Sequence, residues 1–397
     1  TGTITTSATI SDSGVGNIAL TSSSAGIVQG SPVTSAGGSI TYNASTTIAQ
    51  NAAINSGGGA ISLTAGSSIT MADGTTTTSV TGGAGGSISL SAGTNVALSI
   101  LDSDGAASVT ATSGTISDNL TGEGAANTNI RGGTTDVTLT AGAGIGTSAE
   151  EIDTLIAELT ATLNTSGGIF IEEANGLIVS NDATGITSGG SDGSVVLHTL
   201  DGSITLTGPI NVTGNVGNVL LKTSELGEAT TANITLNNLI TSTKGNVSLD
   251  AADGITASAT GDITLSAAGK TVDALAVNDI GMADGSVFMT NNGAVRLETT
   301  AGGITLGQIN AGTTGNVALL ATVGTVVDLA DAAAVDVFGG GLLVRTTNLG
   351  SAANPVETSL TTLAVSVTST DLFVTESDDV ATGTVTVTAN RVAINGS

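Results

Sequence analysis

Short apolar–polar alternations recur along the whole chain, and each predicts a β-strand of four or five residues. The recurring unit is a small or polar residue, then Ile or Val, then any residue, then an aliphatic residue, as in Ala-Ile-Ser-Leu at 60–63. Alternation of period two places both aliphatic side chains on one face of a strand. Clear copies lie at 17–20, 39–42, 60–63, 87–90, 108–111, 136–139, 168–171, 194–197, 203–206, 218–221, 233–236, 246–249, 262–265, 286–289, 303–306, 316–319 and 384–387.

The spacing of these copies favours stacked coils over a meander of hairpins. Clear copies lie 21 residues apart from Ile40 to Ile61 and from Ile88 to Val109, and most junctions are Gly-Gly, Ser-Gly or Ala-Gly. Coils of this kind pair each strand in parallel with its equivalent one coil away. The sequence therefore predicts an all-β fold, a parallel β-helix (β-solenoid) of roughly 17–20 coils of about 20 residues, about 80–95 Å long. We expect a single continuous solenoid over 1–397.

One segment, 149–163, carries a competing pattern. Its apolar residues Ile152, Ile156, Leu159 and Leu163 are spaced as on a helix. A second copy at 349–363, offset by 204 residues, has Pro355 in place of a Glu and is rich in Val and Thr, which favour strands. We therefore predict strand for both copies, with a super-repeat that relates 145–180 to 349–383.

The composition limits which side chains can form the core and which kinds of partner the chain can bind. Aromatic residues are 1% of the chain and Trp is absent, while hydrophobic residues reach 39%, so the core must be aliphatic. The net charge of −26 argues against nucleic acid, which needs Lys and Arg, and against anionic membrane surfaces. No apolar run of about 18 residues predicts membrane insertion. Cys is absent, which suits a long chain exported unfolded, although a large core needs no disulfides either.

Three further features recur or stand out in the sequence: Gly-Asn-Ile/Val openings at 16–18, 217–219, 245–247 and 315–317, the block at 145–177, and Ile-Thr-Met-Ala-Asp-Gly at 69–74. With these features the repeats resemble those of filamentous-haemagglutinin-like adhesins, the exoproteins of two-partner secretion, and related autotransporter passenger domains. The resemblance implies a right-handed parallel β-helix, an extracellular or cell-surface location, and a role in adhesion, biofilm or surface fibres. Parallel crossovers share that hand in general. The amino-terminal secretion domain of the family is not recognisable here.

Acidic turns are the candidate metal ligands. Asp102 and Asp104 lie in Leu-Asp-Ser-Asp-Gly, and Asp378 and Asp379 are adjacent near residue 380. Ca²⁺ prefers several converging oxygens, which neighbouring coils can supply. The nonapeptide calcium repeat Gly-Gly-x-Gly-x-Asp is absent. The alternative is that these are solvated carboxylates at turns.

We predict no catalytic residue and no cofactor other than Ca²⁺ at those turns. His198, the single histidine, ends a strand with no nucleophile motif nearby, so we expect a solvent-facing or corner residue. A polysaccharide-degrading enzyme is the weaker alternative, because it needs paired carboxylates and usually aromatic platforms. One Tyr and four Phe are few for a sugar track.

Both ends of the sequence read as strands. Ile4 and Ile10 lie at one end, and Val385, Val387, Val392 and Ile394 at the other. Open strand edges template pairing. We therefore expect either neighbouring solenoid segments of a longer chain or head-to-tail assembly of copies through these residues. The function expected from the sequence is a structural segment of a bacterial surface adhesin or fibre. A module that binds host or cell-surface glycans or Ca²⁺ is the alternative.

Overall fold

The computed structural model describes residues 2–80, 85–122, 127–180, 184–226, 231–329, 335–369 and 371–397, with only the backbone described at 133–135. The chain divides into two compact units, unit 1 (1–191) and unit 2 (192–397). The described residues form strands and turns without helices, so they contain no helix able to cross a membrane. The prediction of one continuous solenoid over 1–397 stays a prediction.

Unit 1 is a β-solenoid with three strands in a typical coil, each paired in parallel with its equivalent one coil on. One row runs through Ile4, Ile27, Ile48 and Ile69 in direct register. Its strands are β1 (Ile4–Thr6), β2 (Ile10–Asp12), β3 (Ile18–Ser22), β4 (Ile27–Gln29), β5 (Val33–Ser35), β6 (Ile40–Ala44), β7 (Ile48–Gln50), β8 (Ile54–Asn55), β9 (Ile61–Ala65), β10 (Ile69–Met71), β11 (Thr76–Ser79), β12 (Ile88–Ala92), β13 (Val96–Leu98), β14 (Ile100–Ser103), β15 (Ala107–Ala111), β16 (Thr115–Asp118), β17 (Ile130–Ala141), β18 (Gly144–Ile145), β19 (Ile152–Leu163), β20 (Ile169–Glu173), β21 (Leu177–Val179) and β22 (Ile186–Ser188).

Unit 2 repeats this architecture. Val219, Val247, Val272 and Val295 stand in register on successive coils. Its strands are β23 (Val195–Thr199), β24 (Ile204–Leu206), β25 (Ile210–Val212), β26 (Val219–Thr223), β27 (Ile234–Leu236), β28 (Ile240–Ser242), β29 (Val247–Ala251), β30 (Ile255–Ala257), β31 (Ile263–Ala268), β32 (Val272–Ala276), β33 (Ile280–Met282), β34 (Val287–Asn291), β35 (Val295–Thr299), β36 (Ile304–Leu306), β37 (Gln308–Asn310), β38 (Asn316–Ala321), β39 (Val326–Asp328), β40 (Val337–Thr346), β41 (Val356–Val367), β42 (Val374–Glu376) and β43 (Ala381–Thr382).

Each coil carries one strand of about five residues, and these strands stack into what we call the wide sheet of each unit. In unit 1 the wide sheet contains β3, β6, β9, β12 and β15, and in unit 2 it contains β23, β26, β29, β32, β35 and β38. The first and third residues of these strands point inward and form aliphatic ladders, such as Ile40, Ile61 and Ile88, all at most 1% exposed. Burying one such side chain contributes about 1.5–3 kcal/mol.

The β-solenoid predicted from the alternating pattern is thus confirmed. The coils average about 23 residues rather than 20, and about 15 turns form instead of 17–20. The difference arises in the turns, because the strands are short and uniform while their spacing varies. Ile40 pairs with Ile61, 21 residues on, whereas Ile204 pairs with Ile234, 30 residues on.

The two segments with competing patterns are both strands, as predicted. In β19 the buried residues are Ile152, Asp153, Thr154 and Ile156, then Leu159, Ala161 and Leu163. Apart from Asp153 these form two period-two alternations, which go out of phase between Ile156 and Leu159 as the strand turns a corner of the coil. Two alternations joined at a bend imitate the three-and-four spacing of a helix.

The turns that precede these two strands have matching backbones. Gly146 has φ 62° and Gly350, 204 residues further on, has φ 64°. The N–H of each donates to the carbonyl of the coil before, Ile116 in one case and Val326 in the other. Gly accepts this left-handed backbone without strain.

One predicted strand is not a strand. Residues 384–387 have the alternating pattern, yet 383–393 form no ladder with any described strand. The segment instead crosses the outer face of the wide sheet of unit 2. The pattern misleads here because alternation reports two differently buried faces, and an extended segment lying on a sheet meets that condition without pairing.

Candidate functional site

Both copies of the super-repeat hold a glutamate inside the coil. In unit 1, Glu173 is fully buried and accepts hydrogen bonds from Thr154 Oγ1 (2.7 Å) and from the backbone N–H of Ile156 and Asn175 (both 3.1 Å). In the absence of a cation among these partners, burial raises the pKa of Glu173 to about 7. The side chain closes the bend of β19 by satisfying backbone donors that the corner leaves free.

Glu376 of unit 2 makes the matching contacts. It accepts from Thr358 Oγ1 at 2.8 Å and from Leu360 N–H at 3.1 Å. The two receiving strands, β19 and β41, bend at the same place in the repeat. We therefore assign both glutamates a structural role in the corner.

A group of three carboxylates lies in unit 2, where the potential ligand atoms of Asp328, Asp336 and Glu357 are all within 4.8 Å of one another. It is the single group of three or more potential metal ligands found among the described residues. Asp328 ends β39, Asp336 precedes β40, and Glu357 lies in β41, so successive coils bring them together. Glu357 N–H donates to Asp336 Oδ2 at 2.8 Å.

This cluster can hold a proton or a cation. Asp336 is 2% exposed. Its pKa is raised to about 8, first by burial and then by the charges of Asp328 and Glu357. A proton on Asp336 relieves the repulsion between the carboxylates at neutral pH. The cluster is therefore accounted for without a metal, although three carboxylates also suit Ca²⁺.

The acidic residues proposed from the sequence lie elsewhere. Asp102 is half-buried in β14, in register with Thr78 and Arg131, and Asp104 is half-buried in the turn that follows. Asp378 and Asp379 are exposed. None of the four belongs to a described group of three potential ligands. Calcium binding at these residues stays a prediction.

His198 lies in β23 with its Nε2 2.9 Å from Ser224 Oγ. It is partly exposed and points outward, as a strand residue in the fourth position does. Its outward neighbours on the next two coils are Lys222 and Asp250, which form an ion pair at 2.8 Å. This position agrees with the expectation that His198 is a solvent-facing or corner residue.

The predicted assembly residues fall into two different settings. Ile4 and Ile10 lie in β1 and β2 and are partly exposed. Val385 and Val392 are buried, at 8% and 3% exposed, whereas Val387 is half-buried and Ile394 is 42% exposed. The second group belongs to the extended segment 384–396, which we call the strap.

The strap runs across the wide sheet of unit 2, over successive coils, and is held by hydrogen bonds along its backbone. Asn316 Nδ2 donates to Thr386 O at 2.9 Å. Further along, Asn390 N–H donates to Thr271 Oγ1 (2.9 Å) and Val392 N–H to Ser248 Oγ (2.8 Å). Gly396 O accepts from Asn218 Nδ2 (2.9 Å) and Ser194 Oγ (3.2 Å).

An ion pair fixes the middle of the strap. Arg391 Nε lies 2.7 Å from Asp273 Oδ2, and Arg296 Nε lies 2.7 Å from Asp273 Oδ1. The side chain of Asp273 is fully buried. Burying an unpaired carboxylate costs roughly several kcal/mol of folding free energy, so Asp273 needs these arginine partners.

The strap has a largely buried floor, formed by outward residues at the second position of the wide-sheet strands. Arg296 in β35 is half-buried, and the other residues are at most 2% exposed although they point away from the core: Val196, Leu220, Ser248, Asp273 and Ala318, which is in register with Arg296. Sequence reasoning missed this surface. The signal was present, because Val-Val-Leu at 195–197 and Val-Leu-Leu at 219–221 break the apolar–polar alternation.

Comparison of the chain with protein-family models, with curated proteins and with solved structures found no match.

Proposed function

We propose that the chain is a structural β-solenoid segment of an extracellular surface adhesin or surface fibre, without a catalytic role. One observation carries the proposal. Both units bury in-register aliphatic ladders inward, and the acids and amides at their corners act largely as caps for the backbone. Asn218 and Asn246, from the Gly-Asn-Val openings, each accept an N–H from the next coil at 2.9 and 3.0 Å.

The adhesin resemblance agrees with this arrangement. The Gly-Asn-Ile/Val openings that carry it are capping positions in the solenoid, so they serve coil stacking rather than chemistry. The lack of Cys and the low content of charged residues, 10%, suit an exported scaffold. A scaffold of this kind displays other sites or assembles with further solenoid segments.

Electron microscopy of the purified chain tests the fibre part of the proposal. Filaments much longer than one chain support head-to-tail assembly, because a non-closing contact grows without limit. Particles of single-chain mass at every concentration contradict a fibre built by this chain alone. Glycan cleavage that is lost on removal of a single carboxylate contradicts the absence of a catalytic role.

The alternative is an adhesive module that binds glycans or Ca²⁺. Thermal melting with and without millimolar Ca²⁺ separates it from the first proposal. A ligand that binds the folded state raises the melting temperature, by mass action. No shift removes specific Ca²⁺ sites, including those predicted at Asp102, Asp104, Asp378 and Asp379.

A further inference from the structure

The outer face of the wide sheet of unit 2 on which the strap lies, which we call the seat, contacts the strap mainly through the backbone of the strap. The seat's hydrogen bonds reach the strap backbone at Thr386 O, Asn390 N–H, Val392 N–H and Gly396 O, and the side chain of Arg391 adds its bond to Asp273. The six wide-sheet strands from β23 to β38 span about 24 Å at their usual spacing. Ten extended residues reach about 33 Å, so the strap covers this distance with length left for the turn at 393–396.

Side chains add selectivity at three places. Val385 packs on the backbone of Gly341, where an added Cβ would lie 3.1 Å from both Val385 methyl groups. Val392 is buried near the middle of the sheet, and Arg391 reaches Asp273 beside it. Lys and Arg together number 7 in this acidic chain, and Arg391 is the one arginine that a Val follows.

The seat is built to stand without the strap. Arg296 holds both oxygens of Asp273, at 2.7 and 3.0 Å, so the carboxylate stays paired when Arg391 leaves. The oxygens of Asn218 and Asn246 cap neighbouring coils and need nothing from the strap. Loss of the strap therefore uncovers the apolar floor residues Val196, Leu220 and Ala318, on a sheet whose ladder remains intact.

The connection to the strap allows exchange. Residues 377–384 are mostly exposed, and β43, two residues long, is their one strand. Exchange of an identical element between copies through such a connection is domain swapping, in which every contact of the element is kept.

We propose that this face of unit 2 is a peptide-binding surface whose partner in trans is the strap, residues 384–396, of a second copy of this chain. The surface takes an extended segment with two buried valines and an arginine that meets Asp273. This inference stands whether or not the chain forms fibres, since a swapped pair needs no further assembly.

The test uses the full chain with a protease recognition sequence inserted between Gly383 and Thr384, both exposed. The protein is folded, cut and mixed with a fluorescent synthetic peptide of residues 384–397. Anisotropy and native mass spectrometry follow the exchange. We expect one peptide per cut chain, and at least about 10-fold weaker binding to the uncut chain, whose own strap competes at millimolar effective concentration.

Peptide variants identify the contacts. Arg391→Glu and Val392→Asp in the peptide should each weaken binding at least about 10-fold. Arg391→Glu places a second carboxylate beside Asp273, and Val392→Asp buries a charge. Thr388→Ala changes an exposed residue and should bind like the unmodified peptide. The proposal is overturned if the cut segment never leaves, if the peptide does not replace it, or if Arg391→Glu binds unchanged.

Discussion

The two wide sheets have the same inward face and opposite outward faces. Inward, each presents in-register aliphatic ladders that are almost completely buried. Outward, the second positions of unit 1 are exposed or half-exposed, whereas those beneath the strap, apart from the half-buried Arg296, are at most 2% exposed. The pairs to compare are Thr41 with Leu220 and Ser62 with Ser248, each the second residue of its strand.

The difference shows that a solenoid coil leaves its outer face open to a second role. The core needs the first and third positions of a strand, so the second is free to be polar or to receive another segment. Unit 1 uses mostly Ser and Thr there, whereas unit 2 has Val196 and Leu220 on its first two strands and Ser248, Asp273, Arg296 and Ala318 on the others. An outward apolar residue in such a repeat therefore indicates a covered face.

The largest expected effect is that of a charge placed under the strap. Leu220→Asp buries a carboxylate against Val196 and should destabilise unit 2 by about 3–5 kcal/mol or release the strap. Thr41→Asp, in the matching position of unit 1, should stay within about 0.5 kcal/mol. Denaturant unfolding gives the stability and hydrogen exchange at 385–396 gives the state of the strap. Equal, small effects would show that Leu220 is as accessible as Thr41.

The inward faces should not differ. Leu63→Ala in unit 1 and Leu221→Ala in unit 2 each remove a fully buried ladder residue. Each should cost about 2–5 kcal/mol, from lost burial and the cavity left behind. Urea unfolding followed by hydrogen exchange in each unit measures both. A cost confined to one unit would mean that the ladders are not equivalent.

Much of this fold could be predicted from the sequence, since inward alternation marks nearly every strand. The 204-residue repeat also corrected the helical spacing of 152–163, because the second copy is rich in Val and Thr, which favour strands. The coil length was less certain, because turns of variable length leave no periodic signal.

The sites were harder to predict, because they depend on which coils become neighbours. Asp328, Asp336 and Glu357 come from three separate strand regions, and no local motif joins them. To predict the seat of the strap, one must know that 384–396 lies over residues up to about 200 positions earlier in the chain, as in the bond from Ser194 to Gly396. The apolar residues Val196 and Leu220 at outward positions indicate that another segment covers the sheet, but they do not show which segment it is.

The comparison extends to how each unit accommodates a fully buried carboxylate. Asp273 in unit 2 has two arginines, whereas Glu173 in unit 1 has neutral donors and a pKa raised to about 7 from an ordinary 4.5. Between those two pH values the folded state of unit 1 holds a proton that the unfolded state has lost. Stability from this group is therefore complete below about pH 4.5 and is lost as the pH rises to about 7.

Glu173→Gln should remove that dependence, because a neutral amide does not titrate and its oxygen can still accept from the backbone N–H groups. As the pH rises from 4 to 8, the free energy of unfolding of the variant should increase relative to that of the wild type, by up to about 3 kcal/mol. Denaturant unfolding of both proteins across this range measures the difference. Parallel stability curves would mean that Glu173 is ionised in the folded protein.

The smallest effect should come from single anchors of the strap. Ser248→Ala removes the acceptor of Val392 N–H and should cost about 0.5–1.5 kcal/mol, the usual net contribution of one hydrogen bond. The Val392 amide should then exchange its hydrogen up to about 10-fold faster, since about 1.4 kcal/mol is one factor of ten. Ser62→Ala, at the uncovered second position of unit 1, should leave both stability and exchange unchanged. An unaltered Val392 exchange rate in Ser248→Ala would show that the strap is held by Arg391 and the buried valines rather than by its backbone.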